Sequence, residues 1–354
     1  MIIPARDSLF DNLAWRMAED PRNKDVIVVF HTADDSLYER HSRILGSRFN
    51  LPSELFETPK FYLEHPELAK EKGVEDFEQV LSRSRQWLHR LFEEERLIVG
   101  DINLIAPTFP ALGRYVTDIR KRFPDKNIIV LEDNFHLLEM PGFGKDSGEA
   151  KIAASSHFIK QLCTSQQVTV LATMELPKSS LEQGKRPYYT NVKGSGAIPF
   201  DVNANWGVHN DLADMGDEAS IIWEDFEHQH EVEVAGVTSM QNPRMPILEV
   251  IVDKNKISGF KGTLFFKLWP LSGRLEECSK DDQNNLRVRI ADQARRQPCA
   301  SDLRGEVSSR GTARSTASQS LRPGSISLRD SSARRPGIAD RLALPLQAEP
   351  FVTA

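Results

Sequence analysis

The chain has 354 residues, 40% of them hydrophobic, with 45 Lys and Arg against 51 Asp and Glu for a formal net charge of −6. That length allows one large domain or two ordinary ones with a real core, and the acidic balance excludes a surface that is basic all round, though not a local basic channel. Three widely spaced cysteines (Cys163, Cys278, Cys299) without a C-x-x-C pair speak against structural zinc and for a reducing compartment.

No apolar run approaches ~18 residues, so no membrane span is expected. The opening "MIIPARDSLFDN" lacks the apolar stretch of a signal peptide. The sequence therefore reads as a soluble cytoplasmic chain.

In chain order, "DVIVVFH" (25–31) is mostly β-branched and predicts a buried strand. "SLYERHSRILGSRF" predicts the helix after it. Residues 75–95 predict an amphipathic helix, with Phe77, Val80, Leu81, Trp87, Leu88 and Leu91 at helical spacing. Then follow a strand at "RLIVGDI", a helix at "TFPALGRYVTDIRKRF" and a strand at "NIIVLED". "AKIAASSHFIKQLCTSQQ" continues as a helix and "VTVLATMEL" as a strand. "MPILEVIVDKNKISGFKGTLFFKLWPLSGRLEEC" reads as strand, turn, strand and a short last strand. Strands alternating with helices predict βαβ units, an α/β class and a mostly parallel sheet, with ligands beyond the strands' carboxyl ends. After Cys278 the composition turns to Arg, Ser, Gly and Ala, as in "SSRGTARSTASQSLRPG". Such a segment buries too little apolar surface to offset its ordering entropy, so residues 279–354 are expected to be a disordered tail.

Three strands end on polar residues: the first on Thr32, Ala33, Asp34 and Asp35, the next on Glu132 and Asp133, the third on Thr173, Met174 and Glu175. One such acid is more often simply a solvated strand end. Together they are the parts a Mg-nucleotide site needs. One carboxylate orients the hydrated Mg²⁺, a second polarises water, and a polar group on a neighbouring strand senses the γ-phosphate.

The order of these segments resembles the RecA-like motor domain of DnaB-type replicative DNA helicases, over residues 8–278. "IIVLEDNFHLL" resembles that family's Walker B strand, with Asp133 on the metal-orienting acid and Glu132 beside it. "VLATMELPK" resembles the next motif, with Glu175 in place of the usual sensing Gln and Lys178 in place of Arg. "TNVKGSGAIPFDVN" is similar to the following one through Lys193, Ser195, Gly196, Ile198 and Asp201. "EVIVDKNKISGFKGT" resembles the late strand–turn–strand, placing Lys254 on the family's Lys and Lys256 at its trans-acting Arg finger. "VVFHTADDS" resembles the strand bearing the catalytic acid, with Asp34 as counterpart. The resemblance implies a RecA-like core at 1–278, ATP and Mg²⁺ as cofactors, and Asp133 as the Mg²⁺ ligand. It also implies single-stranded DNA and a homo-hexamer or other helicase subunits as partners. Loops near Lys145 and from Lys185 to Gly196 would face the DNA.

The family's phosphate loop, G-x-x-x-x-G-K-[ST], precedes the helix matched by "LFDNLAWRMAED". Here Arg6 and Asp7 stand at its Lys and Thr positions, after "MIIPA". "MPGFGKDSG" offers Gly144 and Lys145, but Asp146 follows and Glu139 replaces the first glycine, so it reads as a loop. The alternatives are a chain whose start lies upstream and a non-hydrolysing interaction or regulatory relative. A RecA-type recombination ATPase is a third, which "KGSGAIPFDVN" and "KNKISGFKGT" disfavour.

Of the remaining motifs, His228 and His230 in "EDFEHQHEVEV" lack a third ligand and read as a charged strand. His31 reads as a hydrogen-bonded core histidine, Cys163 as core, and "NANWGVH" as a core strand packed through Trp206.

Overall fold

A computed structural model describes residues 5–144, 147–175, 186–187, 196–224 and 244–296. Helix α1 (Ala5–Glu19) leads into β1 (Val26–Thr32). Helix α2 (Leu37–Phe49) starts at a capping box, in which Ser36 accepts from the Glu39 N–H and the Glu39 carboxylate accepts from the Ser36 N–H. It ends at Asn50, whose left-handed φ of 54° lets its N–H reach the Gly46 carbonyl.

Three short helices follow: α3 (Glu54–Glu57), α4 (Pro59–Glu64) and α5 (Pro66–Glu71). Helix α6 (Phe77–Glu93), capped by Asp76, precedes β2 (Leu97–Gly100). Then come α7 (Phe109–Arg122), β3 (Asn127–Asp133), α8 (Gly148–Gln166) and β4 (Thr169–Ala172). The remaining described elements are α9 (Ala197–Asp201), β5 (Ala204–Asn210), α10 (Asp211–Met215), β6 (Ile222–Glu224), β7 (Arg244–Asn255), β8 (Gly262–Leu268), β9 (Leu275–Glu277) and α11 (Lys280–Arg296).

Strands β1 to β4 form a parallel sheet in the order β2-β1-β3-β4. The period of two along each strand divides the core. Val28, Phe30 and Leu131 face one way, onto Phe10, Ala14 and Trp15 of α1, Ile44 of α2 and Leu81, Trp87 and Leu91 of α6. Ile27, Val29, Ile128 and Val130 face the other, onto Phe109, Leu112 and Val116 of α7 and Leu162 of α8. Burying each such large side chain contributes roughly 1.5–3 kcal/mol, which is why these runs read as continuously apolar. The α/β class with a parallel sheet is therefore as the alternation predicts.

The later strands form a separate antiparallel sheet, β5-β7-β8-β9, with β6 also on β7. Helix α1 packs on this sheet too. Its Leu9 lies with Leu248, Val250, Leu268 and Leu275. Its buried Asn12 donates to the Gly273 carbonyl at 2.8 Å and accepts from the Leu275 N–H at 3.1 Å.

Two local readings come out differently. "NANWGVH" does form a strand, β5, but it lies at the end of its sheet and Trp206 is 41% exposed. Beyond Cys278, where sequence composition predicts a tail, the chain continues as α11, whose Leu286 is buried with Phe265, Ile247 and Cys278. Residues 297–354, with the Arg/Ser-rich stretch, lie outside the described residues, as do His228 and His230.

Candidate functional site

The pleat sorts the polar strand ends as it sorts the core. In the register of β1 and β3, His31 lies opposite Glu132 and Thr32 opposite Asp133. His31 and Glu132 therefore close the face covered by α7 and α8. Thr32 and Asp133 close the face covered by α1 and α2.

On the α1/α2 face the organising group is Arg40, fully buried on α2. Its Nη1 donates to Asp11 Oδ1 at 3.0 Å and its Nη2 to Asp133 Oδ2 at 2.7 Å. Nη2 also bonds Asp35, in the turn after β1, and lies 3.5 Å from Thr32 Oγ1. The guanidinium sits 4.5 Å over the Phe30 ring. One turn on, Arg43 Nη1 donates to Asp35 Oδ2 at 2.8 Å and to Asp7 Oδ2 at 3.1 Å. From β4's end, the Thr173 hydroxyl donates to Asp133 Oδ1 at 2.6 Å.

Helical spacing produces this cage. Asp7 and Asp11 lie four residues apart on α1 and continue its buried stripe of Ala14 and Ala18, while Arg40, Arg43 and Ile44 share the buried face of α2.

The electrostatics follow from burial. Loss of solvent pushes the Asp11 carboxyl up to about 7, although Arg40 and Arg43 hold it down. Burial also works against charge on Arg40, but Asp11, Asp133 and Asp35 outweigh it and raise its pKa, so it stays a cation. On the opposite face His31 Nδ1 and Glu132 Oε2 are 2.7 Å apart and both side chains are fully buried. Burial raises the Glu132 carboxyl, with His31 opposing. His31 is thus the hydrogen-bonded core histidine its sequence context predicts.

The other anticipated residues lie apart from the cage. Asp34 is exposed in the turn after β1, and its neighbour Asp35 makes the cage contacts. Glu175 is exposed just past β4, its N–H donating to His136 Nδ1 at 3.2 Å. Lys254 and Lys256 belong to the second sheet. Lys254 Nζ bonds the Pro199 carbonyl, and burial together with the charge of Lys256 lowers its pKa. The Lys256 backbone N–H donates to the Asn203 carbonyl at 2.8 Å and its side chain is exposed. Gly196 precedes α9 and is exposed. Lys145, Lys178 and Lys193 lie outside the described residues.

Arg40, Arg43 and Asp11 were not anticipated as site residues. Their signal was in the sequence all the same, as charged side chains at positions that helical spacing assigns to the core.

The chain has the RecA-like fold of DnaB-type helicase ATPase domains. That conclusion rests on two solved structures. The isolated ATPase domain of a DnaB-like helicase superposes with a TM-score of 0.58, covering 78% of this chain and 81% of that one, at 18% identity. A DnaB-like replicative helicase, solved to show its interactions with primase, gives a TM-score of 0.54 at 18% identity over 76% of this chain and 55% of that one. No family model and no curated protein matches the sequence. At this identity the likeness to the helicases is one of fold, and the roles of individual residues rest on local geometry.

That geometry does not suit Mg²⁺ at Asp133. Both of its oxygens already accept from protein donors, and the residue is fully buried. Mg²⁺ demands near-octahedral oxygen coordination and keeps several waters. A divalent ion about 4 Å from the guanidinium would be repelled by on the order of 8 kcal/mol at an effective dielectric of about 20. With Arg40 in place, no step can be routed through a metal at this carboxylate.

Proposed function

We propose that this chain serves as a helicase-type subunit that binds single-stranded DNA within a ring, either a homo-hexamer or a ring shared with other helicase subunits, and that it does not hydrolyse ATP through its own Asp133. The observation that carries the second half is the pair of bonds that Arg40 and Thr173 make to the two oxygens of Asp133. The first half is supported by the fold shared with helicase ATPase domains. Exposed cations such as Lys256, in the turn between β7 and β8, suit contact with phosphates of a neighbour or of DNA.

The second reading is an ATP-hydrolysing motor. It is favoured by the placement of Asp34, Asp133 and Glu175 at the carboxyl ends of three adjacent parallel strands. In that reading Asp133 holds Mg²⁺ with Glu132 beside it, Asp34 polarises water, Glu175 couples nucleotide state to the DNA loops, and Lys254 and Lys256 reach a neighbour's phosphates. It requires Arg40 to leave Asp133.

Fluorescence anisotropy of a labelled oligothymidine with the full chain tests the DNA-binding half. The expected result is binding that weakens steeply between roughly 50 and 200 mM salt, as counterion release dictates. A folded chain that leaves the oligonucleotide free at the lower salt contradicts it.

A further inference from the structure

A guanidinium placed among carboxylates from three separate elements is in the position of a bound metal. Asp11 comes from α1, Asp35 from the turn after β1, and Asp133 from the end of β3, and all three converge on Arg40. We propose that Arg40 is the resident cation of this cage, standing in for a divalent ion, so that the native chain needs and binds no divalent metal at Asp133. The inference deepens the non-hydrolysing reading of the same site, but its test uses neither DNA nor ATP.

Three observations carry it. Arg40 is fully buried and contacts each acid by a single nitrogen rather than by the two-pronged fork that a guanidinium usually offers a carboxylate. Among the described residues its Nε has no hydrogen-bond partner, and neither has the buried Asp11 Oδ2. The donor set is all carboxylate oxygen, which suits hard ions of the Mg²⁺ and Mn²⁺ type. Around the guanidinium the acids are spread, and as they stand no three of the described His, Cys, Asp or Glu side chains are placed to hold a metal. Arg40 therefore acts as a positioning residue. It gathers the ends of β1 and β3 and the start of α1 without coordination chemistry.

The test is Mn²⁺ binding and thermal stability of the full chain, followed by electron paramagnetic resonance and circular dichroism. The native chain is expected to show no Mn²⁺ site that Asp133→Asn removes, and a Tm indifferent to EDTA. Arg40→Met leaves three acids uncompensated, and its Tm is expected to fall by about 10 °C in EDTA. Adding about 5 mM Mn²⁺ should restore at least half of that loss. A purely packing role for Arg40 would not produce metal-dependent recovery, and Arg40→Lys, which keeps the charge, should lose less and respond less to Mn²⁺.

An Asp133-dependent Mn²⁺ site in the native chain would overturn the proposal. So would a folded Arg40→Met chain that neither binds Mn²⁺ nor is stabilised by it. If Arg40→Met does not fold in EDTA, folding on addition of Mn²⁺ supports the proposal, and failure with and without Mn²⁺ overturns it. Loss of DNA binding leaves these outcomes unchanged, so the two proposals fail separately.

Discussion

Two buried titratable groups near the site have opposite effects on pH-dependent stability. His41, on α2, packs 5.4 Å from the Phe92 ring, and burial lowers its pKa to about 4. Between about 6.5 and 4 the unfolded chain takes up a proton that the folded chain refuses, so His41 costs stability as pH falls. Asp11 behaves conversely. With a folded pKa near 7 against 3.8, the folded chain holds a proton that the unfolded chain has released, and stability is lost as pH rises through that window. His41→Phe should therefore gain on the native chain as pH drops towards 4, and Asp11→Asn should gain as pH rises towards 7. Each gain should be up to roughly 3 kcal/mol, read from urea unfolding at a series of pH values. The same slope in both variants would contradict these assignments.

Residue by residue, the site was only partly legible in the sequence. Asp133 and Glu132 could be located from a strand ending in acids, but which face each one meets depends on strand register. Arg40 required knowing that α2 turns its charged residues inward.

Among the elements, α1 has the widest reach. Its Phe10, Ala14 and Trp15 pack on the parallel sheet while Leu9 and Asn12 engage the antiparallel one. Asn12→Ala would leave the Gly273 carbonyl and the Leu275 N–H without this buried partner, a loss of about 1–3 kcal/mol. The expected signature is a lower urea midpoint with an unchanged slope. An unchanged midpoint would mean that α1 is not the tie between the sheets. Strands and long helices were legible because their apolar periods are strong, and "NIIVLED" corresponds to β3 residue for residue. The short helices α3 to α5 were not, since four to six residues, with Pro59 and Pro66 opening two of them, carry no amphipathic period. The outward face of Trp206 was missed because an edge strand and a central one share the same composition.

At the scale of the whole molecule, the parallel sheet brings acids from β1, β3 and the turn between β1 and α2 to one end, as the α/β pattern predicts. The helicase-type fold explains that convergence, while the cage explains why it need not mean catalysis. Four carboxylates, Asp7, Asp11, Asp35 and Asp133, share two guanidiniums there. Breaking such a buried network from one side costs about 3–5 kcal/mol, a large part of a domain's net stability. A nucleotide that needed Mg²⁺ at Asp133 would have to displace Arg40 against that cost.

Phosphate release from Mg-ATP therefore decides between a caged and a catalytic Asp133, measured for the full chain and for Asp133→Asn, each with and without single-stranded DNA. If Arg40 keeps its place, the native chain releases no more phosphate than Asp133→Asn in either condition. DNA-stimulated release that Asp133→Asn abolishes would contradict the cage, and would show that Arg40 yields its place at Asp133 to a metal.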